Sequence, residues 1–377
     1  MLSVEAMGLK LKNPVIISAG PWTRGHKGIR AALNSGAAAV VTETIVAEPY
    51  PDLSPRYAYD GRGLQNIRMY SALDMEEWID EFKQIKKEGR SAGDGLIIAN
   101  ITAGTPSELA YLARKFEKAG VDALELGLAC PMGEGMEIVA ANPNKTYAFT
   151  KEVVANVSIP VMVKLTQSMN NLPEVVAAVE KAGASGITAI NTMRCILGIN
   201  VDTGTPILPT YGGYSGSPIR PLGLATVAGI AQSTELPIFG IGGVENYKNV
   251  LEYIMLGASA AEVGTAILIN GYGIIPEMLA NLDRWMKKHH YSSLDEVRGS
   301  SLDKLYSFEE LKVEPQRAYL NSECSREDCG KCVVCCLDEA ISFVDGRLTI
   351  DEDKCTGCGL CRDICPDKKI TLKWKKI

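Results

Sequence analysis

The chain has 377 residues, of which 46% are hydrophobic and 22% are charged, and its formal net charge is −6. This composition provides for a large core and excludes a wholly disordered chain. The acidic balance disfavours a general nucleic-acid binder. No apolar run is long enough for a membrane span, and the start lacks the basic and apolar regions of a signal peptide. We therefore expect a cytoplasmic protein without a membrane contact.

Up to about residue 292, short apolar runs alternate with amphipathic stretches such as 106–119 and 172–182. Continuous apolar runs are typical of parallel strands that are covered on both faces. The strand candidates are residues 15–19, 38–45, 95–101, 123–128, 161–166, 186–192, 238–243 and 260–266. Eight such units predict an α/β fold, a closed (β/α)8 TIM barrel, with an open doubly wound sheet as the alternative.

The expected domain organisation is a barrel over residues 1–295, a charged connector over 296–320 and a small α+β domain over 321–377. In the small domain, residues 344–351 predict a β-hairpin that turns at Asp345-Gly346. Two connections within the barrel are long, 46–94 and 193–221. Long loops after barrel strands commonly build active sites.

Cysteine is concentrated at the end of the chain, where nine of the 11 residues lie between Cys324 and Cys365. The downstream run has the spacing of bacterial ferredoxins, Cys355-x2-Cys358-x2-Cys361-x3-Cys365-Pro366, and the upstream run is degenerate, Cys324-x4-Cys329-x2-Cys332-x3-Cys336. We expect one [4Fe–4S] cluster on Cys324, Cys329, Cys332 and Cys365, and a second on Cys336, Cys355, Cys358 and Cys361. A structural zinc ribbon is the alternative. Two points stay open: whether Cys335 replaces Cys336, and whether the degenerate run holds a [3Fe–4S] centre.

The last two barrel strands end in glycine-rich segments, Gly240-Ile-Gly-Gly243 and Gly264-Thr265. Backbone N–H groups in such segments commonly bind a phosphate, although simple turns also explain glycine. Lys164 ends an otherwise apolar strand, where a buried cation requires an anion or an electron-rich ring as its partner. These features predict a phosphate-bearing cofactor inside the barrel.

Motifs in the same order as in a known family extend over about 250 residues of the chain. They are Asn13-Pro14, Ala19-Gly20, Asn66-Ile67, Glu125 to Pro131, Lys164-Leu165, Asn191-Thr192, Gly212 to Gly216, Ile219 to Pro221, Gly242-Gly243 and Gly264-Thr265. The chain resembles the dihydroorotate dehydrogenases, and more closely the FMN barrel and ferredoxin module of dihydropyrimidine dehydrogenase.

This resemblance implies that FMN binds near Ala19, Gly20, Thr44, Asn100, Lys164, Asn191, Gly216, Gly242, Gly243, Gly264 and Thr265. It also implies that Cys130 exchanges a proton at one carbon of a C=C bond while a hydride passes between the other carbon and the flavin. A thiol suits this role because its reference pKa of ~8.5 lies near physiological pH. A buried, inert thiol is the alternative for Cys130. The expected substrate residues are Glu43, Asn66, Arg68, Met132, Asn191, Thr192 and Arg194.

Several positions depart from the family pattern. Glu43 stands where the family has Lys, Arg68 where the pyrimidine reductases have Glu, Gly127 where the family has Asn, and Met132 where Asn or His is usual. We expect Glu43 and Arg68 to form an ion pair of reversed sign, the alternative being two solvated charges. Gly127 and Met132 favour a less polar or bulkier pocket. Arg68 and Arg194 are candidates for a carboxylate or phosphate clamp.

Together these features predict an FMN and iron–sulfur oxidoreductase that reduces or forms an activated C=C bond of a small cyclic or carboxylated substrate. No strand–GxGxxG–helix unit is present, so electrons are expected from a ferredoxin or an NAD(P)H-oxidising flavoprotein subunit. The resemblance implies a homodimer or a larger assembly. The alternatives are a dihydropyrimidine or dihydroorotate dehydrogenase subunit and a non-catalytic electron-transfer subunit.

Overall fold

A computed structural model describes residues 1–89, 94–129, 139–169, 171–311, 316–326 and 328–374. The chain divides into two compact units, Met1–Leu305 and Tyr306–Ile377. Within the described ranges, no helix combines the length and the apolar character that a membrane span requires.

The first unit contains a closed barrel of eight parallel strands, which confirms the predicted (β/α)8 fold and excludes the open sheet. In chain order the barrel strands are Val15–Ile17, Ala39–Val41, Leu96–Ile101, Ala123–Leu126, Val161–Leu165, Gly186–Ala189, Ile238–Ile241 and Ala260–Val263. Each strand pairs with its neighbours in sequence, and the eighth closes on the first, with Val263 opposite Ile17. Their side chains are almost all buried, as the continuous apolar runs predict.

Helices cover the outside of the barrel. They span Gly25–Asn34, Met75–Lys87, Pro106–Ala119, Pro143–Val154, Leu172–Lys181, Arg220–Ala231, Tyr247–Met255, Thr265–Asn270 and Ile274–Lys288. The third of them shows why such segments fold as helices: Thr105 accepts the N–H of Glu108 at 3.3 Å, Pro106 occupies the first turn, and Gly120 ends the helix with φ of 93°.

The two long connections contain strands that the sequence analysis did not predict. Tyr57–Tyr59 and Gly63–Asn66 come from the first connection, and Met193–Cys195 and Gly212–Gly216 come from the second. Together they form an antiparallel four-stranded sheet, in which Asn66 pairs with Gly213. We call this sheet the roof. Smaller hairpins pair Val4–Ala6 with Leu9–Leu11 and Ile199–Asn200 with Thr205–Pro206.

The second unit is a small α+β domain, as predicted. Gln316–Leu320 pairs antiparallel with Ile370–Trp374, and Ile341–Val344 pairs with Arg347–Ile350. The turn of this hairpin lies at Asp345-Gly346, and both residues have positive φ, as a tight two-residue hairpin turn requires. Short helices span Lys331–Val334 and Leu360–Ile364. Ala318, Ile341, Leu348, Cys361 and Ile370 form its core.

Candidate active site and cysteine cavities

Two adjoining cavities lie at the carboxyl ends of the barrel strands, with volumes of about 780 and 720 Å³. The first, which we call the glycine cavity, is lined by Gly216, Gly242, Gly243 and Gly264. The second, the arginine cavity, is lined by Arg68 and Glu43. The two share a wall, formed by Ala19, Gly20, Pro21, Asn66, Lys164, Asn191 and Thr192.

The glycine cavity depends on the absence of side chains at the ends of the seventh and eighth strands. Gly243 has φ of 65°, and a Cβ there would lie 2.8 Å from the carbonyl oxygen of Gly216. A Cβ at Gly264 would lie 2.6 Å from Ser18 Oγ. Backbone therefore lines this part of the cavity, which suits a phosphate group that is bound by N–H donors.

The floor shared by the cavities carries a buried cation, Lys164, from the fifth strand. Its Nζ lies 3.2 Å from Glu125 Oε1, and the Asn100 amide donates to the same oxygen at 2.5 Å. Burial by itself lowers the pKa of Lys164, but the negative charges of Glu125 and Glu262 outweigh it and raise the pKa above its usual value. Lys164 is therefore an ammonium group at neutral pH.

In the arginine cavity, Glu43 and Arg68 are in contact, which confirms the expected reversed ion pair. Arg68 Nη2 lies 2.9 Å from Glu43 Oε1, and the side chains are only 6% and 5% exposed. Arg24 contacts the other carboxylate oxygen of Glu43 at 3.2 Å, and Asp52 lies within 3.4 Å of both arginines. Arg56 also contacts Asp52, with 3.8 Å between Nη2 and Oδ2, so the cluster has three arginines and two acids and keeps one positive charge in excess when Glu43 is ionised.

Burial raises the pKa of Glu43 to about 7, although the charge of Arg24 and a hydrogen bond from Ser71 oppose this rise. Arg68 also favours the ionised form, because an opposite charge at this distance stabilises a carboxylate. Glu43 therefore changes its charge near neutral pH.

Asn66 and Asn191 both belong to the shared wall. Asn66 ends a roof strand, and its side-chain oxygen accepts the N–H of Arg68 at 2.7 Å, which orders the approach of Arg68 to Glu43. Asn191 follows the sixth barrel strand. Its amide donates to the carbonyl of Ala129, and its oxygen accepts the N–H of Thr192 at 2.8 Å.

All eleven residues expected to bind the flavin line one or both cavities: Ala19, Gly20, Thr44, Asn100, Lys164, Asn191, Gly216, Gly242, Gly243, Gly264 and Thr265. Of the expected substrate residues, Glu43, Asn66, Arg68, Asn191 and Thr192 line the arginine cavity. Arg194 does not line either cavity; it is exposed on the roof, and its guanidinium lies 4.0 Å from the ring centre of Tyr211. Cys130 and Met132 lie outside the described residues.

Sequence reasoning missed several residues of the site. Arg24 and Asp52 complete the charge cluster, and Ser18, Trp22 and Glu262 line the glycine cavity. Glu262 had a recognisable signal, because it is an acid within the apolar run Ala260-Ala-Glu-Val263, as Lys164 is a base within its own apolar strand. Arg24 and Asp52 had no such signal in the sequence, because charged residues are common in loops.

In the second unit, two further cavities collect the cysteines in the grouping that the spacing predicts. One is lined by Cys324, Cys329, Cys332 and Cys365, and the other by Cys335, Cys336, Cys355, Cys358 and Cys361. Backbone N–H groups donate to the sulfurs of Cys336, Cys355 and Cys365 at 3.3–3.4 Å. Cys335 differs, because its thiol donates to the carbonyl of Cys332 at 3.3 Å. In the described part of the chain, no three His, Cys, Asp or Glu side chains surround a single-ion site.

Comparisons with known proteins agree with this architecture. The family profile described as dihydroorotate dehydrogenase matches residues 1–286, and that of the 4Fe-4S binding domain matches residues 348–368. The catalytic subunit of dihydroorotate dehydrogenase B (NAD(+)) from Pyrococcus abyssi is 36% identical over 306 residues, covering 80% of this chain and 99% of that protein. The Pyrococcus horikoshii subunit of the same name is 34% identical over 312 residues, with 80% and 98% covered.

A relative with a different name is similar over the same share of the chain. The chloroplastic dihydropyrimidine dehydrogenase (NADP(+)) of Arabidopsis thaliana is 33% identical over 330 residues, covering 80% of this chain and 77% of that protein. The chain therefore belongs to the dihydroorotate dehydrogenase family and is a flavin and iron–sulfur oxidoreductase that acts on CH–CH bonds.

Proposed function

We propose that the glycine cavity and the shared wall hold FMN, with the phosphate against Gly216, Gly242, Gly243, Gly264 and Thr265. The observation that carries this proposal is that nine of the eleven expected residues line the glycine cavity, and the other two, Thr44 and Asn100, line the adjoining arginine cavity. The residues present fit the cofactor. Glycines leave backbone N–H groups accessible where the phosphate would lie. The Lys164 ammonium would face the electron-rich ring. When bound, FMN supplies hydride transfer to or from one carbon of a C=C bond.

The arginine cavity is the proposed substrate site. Its polar groups are Glu43, Arg68, Asn66, Asn191 and Thr192, which together offer both hydrogen-bond donors and acceptors. Arg68 lines this cavity and is already paired with both Glu43 and Asp52, so its charge is compensated within the protein. This pairing favours a neutral ring with adjacent donor and acceptor groups over a substrate that depends on a carboxylate clamp.

Cys130 is the proposed acid and base, on the resemblance of the sequence around it to the family motif. Its thiol Sγ would exchange a proton at the carbon next to the one that exchanges the hydride. Met132, two residues further on, is proposed to shape the substrate pocket.

The second unit is proposed to hold two [4Fe–4S] clusters, on the two cysteine sets that line its cavities. The N–H donors at Cys336, Cys355 and Cys365 suit sulfurs that carry negative charge as iron ligands. The thiol donation from Cys335 favours Cys336 as the ligand and leaves Cys335 as a free thiol. The clusters would pass electrons between FMN and a ferredoxin or an NAD(P)H-oxidising flavoprotein subunit.

A dihydroorotate or dihydropyrimidine dehydrogenase reaction is the second candidate, since both names occur among the relatives. Gly127 bears on the choice because it lines the arginine cavity, and a Cβ there would lie 3.0 Å from Asn100 Oδ1. Without a side chain at this position, the chain lacks one amide that could bind a pyrimidine edge, so we favour a different ring.

The experiment is anaerobic purification of the full chain, followed by assay of FMN, iron and sulfide. Uracil, thymine, dihydroorotate and a panel of unsaturated cyclic and carboxylated compounds are then tested with an artificial electron carrier. We expect about one FMN and eight irons per chain, as two cubanes require, and turnover of a compound other than the three pyrimidines. Turnover of one of the three would instead establish the second candidate.

Three other outcomes would each contradict a part of the proposal. Zinc in place of iron, or a colourless protein after reconstitution, would show that the chain lacks the groups needed for the proposed electron transfer. Bound flavin whose spectrum does not change with any compound of the panel would support a non-catalytic electron-transfer subunit. Turnover by the isolated chain with NADPH alone would contradict the need for a partner.

A further inference from the structure

Two consecutive carbonyl groups after the seventh barrel strand are held by side chains from behind the wall of the glycine cavity. The hydroxyl of Tyr253 donates to the carbonyl of Gly242 at 2.8 Å, and Arg220 Nη1 donates to the carbonyl of Gly243 at 3.4 Å. Glu252 fixes Arg220 in turn, with 3.2 Å between Oε2 and Nε. Both glycines line the glycine cavity, whereas neither Tyr253 nor Arg220 is among its described lining residues. The two carbonyls therefore point away from the cavity.

The N–H groups that follow these carbonyls belong to Gly243 and Val244, and both residues line the glycine cavity. In a planar trans peptide, the carbonyl and the next N–H point in opposite directions, so these two N–H groups point towards the cavity. Neither of them donates to an acceptor in the described part of the chain, whereas the next N–H, that of Glu245, donates to Asn249 at 3.1 Å. Because a buried N–H without an acceptor is unfavourable, the two donors indicate a ligand with oxygen acceptors.

The glycines alone do not fix this arrangement. Gly242 and Gly243 have φ of 125° and 65°. A peptide group between two glycines can rotate with little steric resistance, because neither residue has a Cβ. The lack of side chains that lets a ligand approach the backbone therefore leaves the direction of the N–H undetermined. A hydrogen bond from outside the segment has to determine it.

Tyr253 is built into the barrel wall as such a donor. Its side chain is fully buried, and burial raises its pKa, so the phenol keeps its proton. Two glycines in regular elements leave room for it: a Cβ at Gly223 would overlap the hydroxyl, and a Cβ at Gly240 would overlap the ring. The hydroxyl also lies 3.2 Å from the carbonyl of Ile241, but that oxygen already accepts the N–H of Ile190 at 2.9 Å. The closer glycine carbonyl is therefore its main acceptor.

We propose that Tyr253 is a positioning residue that holds the peptide between Gly242 and Gly243 with its N–H towards the cavity, and that it thereby favours a flavin with a phosphate group over one without. The preference for a phosphate rests on the proposed function, because it requires the flavin in the glycine cavity. The orientation of the peptide rests on the contacts of Tyr253 and does not require flavin. Arg220 contacts the next carbonyl in the same way, but its charge would also attract a phosphate directly, so the neutral Tyr253 gives the cleaner test.

The first test compares the dissociation constants of FMN and of riboflavin, which lacks the phosphate, for the full chain freed of flavin. We expect Tyr253→Phe to weaken FMN binding about tenfold and riboflavin binding less than about twofold, since one hydrogen bond to a buried group corresponds to roughly a decade in an equilibrium constant. A merely structural role would weaken the binding of both flavins equally.

The matched control for Tyr253→Phe is Ser35→Ala. It also removes a buried hydroxyl that donates to a backbone carbonyl, that of Ala32 at 2.6 Å, and Ser35 is not among the described residues that line either cavity. Both dissociation constants should stay at their wild-type values in this variant.

The second test is the crystal structure of Tyr253→Phe without flavin. We expect the peptide between Gly242 and Gly243 to be rotated or to occupy two orientations, because its carbonyl has lost its donor. In the wild-type chain, the amide proton signals of Gly243 and Val244 in nuclear magnetic resonance should shift with FMN and not with riboflavin. This measurement remains available if Tyr253→Phe does not fold.

An unchanged FMN constant in Tyr253→Phe, equal weakening of FMN and riboflavin binding, or equal amide shifts with the two flavins would overturn the preference for a phosphate. A peptide that keeps its single orientation in the variant would overturn the positioning role. If the wild-type chain bound neither flavin, the proposed function would be refuted, while the crystal structure of the variant would still decide whether Tyr253 orients the peptide.

Discussion

Arg68 and Glu43 form a buried ion pair at the mouth of the barrel, with 2.9 Å between Nη2 and Oε1. Neither of these two atoms makes an aligned hydrogen bond, so the contact is mainly electrostatic. Both residues line the proposed substrate cavity, and Arg24 and Asp52 contact them. The stability of this charge cluster therefore depends on the ionisation of Glu43.

Replacement of Arg68 by Met should destabilise the barrel in a pH-dependent manner. Removing one partner of a buried pair costs about 3 kcal/mol when the other partner stays charged. Since the pKa of Glu43 is about 7, the carboxylate is ionised at about pH 8 and largely protonated at about pH 5.5. We expect the loss in free energy of unfolding, measured with urea, to be larger at the higher pH.

The control for Arg68 is the surface pair Lys83–Asp80, in which Nζ and Oδ1 are 2.7 Å apart and both side chains are mostly exposed. Lys83→Gln should change the free energy of unfolding by less than about 1 kcal/mol at either pH, because water screens exposed pairs. Equal losses for Arg68→Met and Lys83→Gln, or no difference between the two pH values, would contradict the buried pair.

Gly243→Ala should impair FMN binding. The new Cβ would lie 2.8 Å from the Gly216 carbonyl oxygen, and φ of 65° is unfavourable for alanine by about 1 kcal/mol. We expect the dissociation constant of FMN, measured by fluorescence titration, to rise about tenfold or more, since the backbone that would contact the phosphate must move. Gly104→Ala is the control, because a Cβ there has no neighbour closer than 3.6 Å; comparable weakening in both variants would refute the phosphate assignment.

The two adjacent cysteines of the degenerate run should behave differently. Cys336→Ser should lose about half of the iron, because one of two cubanes loses a ligand. Cys335→Ser should keep the full iron content, because the Cys335 thiol donates to a carbonyl and the sulfur of Cys336 accepts an N–H. Iron and sulfide analysis with electron paramagnetic resonance of the reduced protein distinguishes the two variants; the reverse pattern would make Cys335 the ligand.

Cys130→Ala should slow turnover strongly and leave the cofactors in place. General acid–base catalysis contributes about 10²- to 10⁴-fold, so kcat should fall in that range while FMN and iron contents stay constant. Cys195→Ala is the control, because Cys195 belongs to the roof but does not line either cavity in the described residues. If both variants retained full activity, the proton would have to come from another group.

The sequence predicts the barrel well because buried parallel strands leave continuous apolar runs, but it places strand ends too late. Residues 38–45 and 186–192 were expected as strands, whereas the strands are Ala39–Val41 and Gly186–Ala189. The additional residues include Glu43 and Asn191, which lie past the regular strands and contribute to the cavities. Hydrogen bonds to the neighbouring strands still occur there, from Ile45 N–H to the Asn100 carbonyl and from Asn191 N–H to the Leu165 carbonyl. An apolar run reflects burial, and burial continues past the regular strand into the site.

The grouping of the cysteines and the contact between Glu43 and Arg68 could also be predicted, since spacing and complementary charge are local or pairwise signals. The roof could not. Its strands are short and come from connections far apart in the chain, and only the closed barrel brings them together. Arg24 and Asp52 were missed for the same reason, because their partners are determined by tertiary structure.

The roof also constrains the order of folding and cofactor binding in this protein. The side chain of Gln65 donates to the carbonyl of Thr210 at 3.1 Å, across 145 positions of the chain. Contacts this distant form late, because a long loop must close before they can contribute. During synthesis, we therefore expect FMN to bind only after the ribosome has released residues well beyond Thr210. A nascent chain that is truncated before this point should not bind FMN.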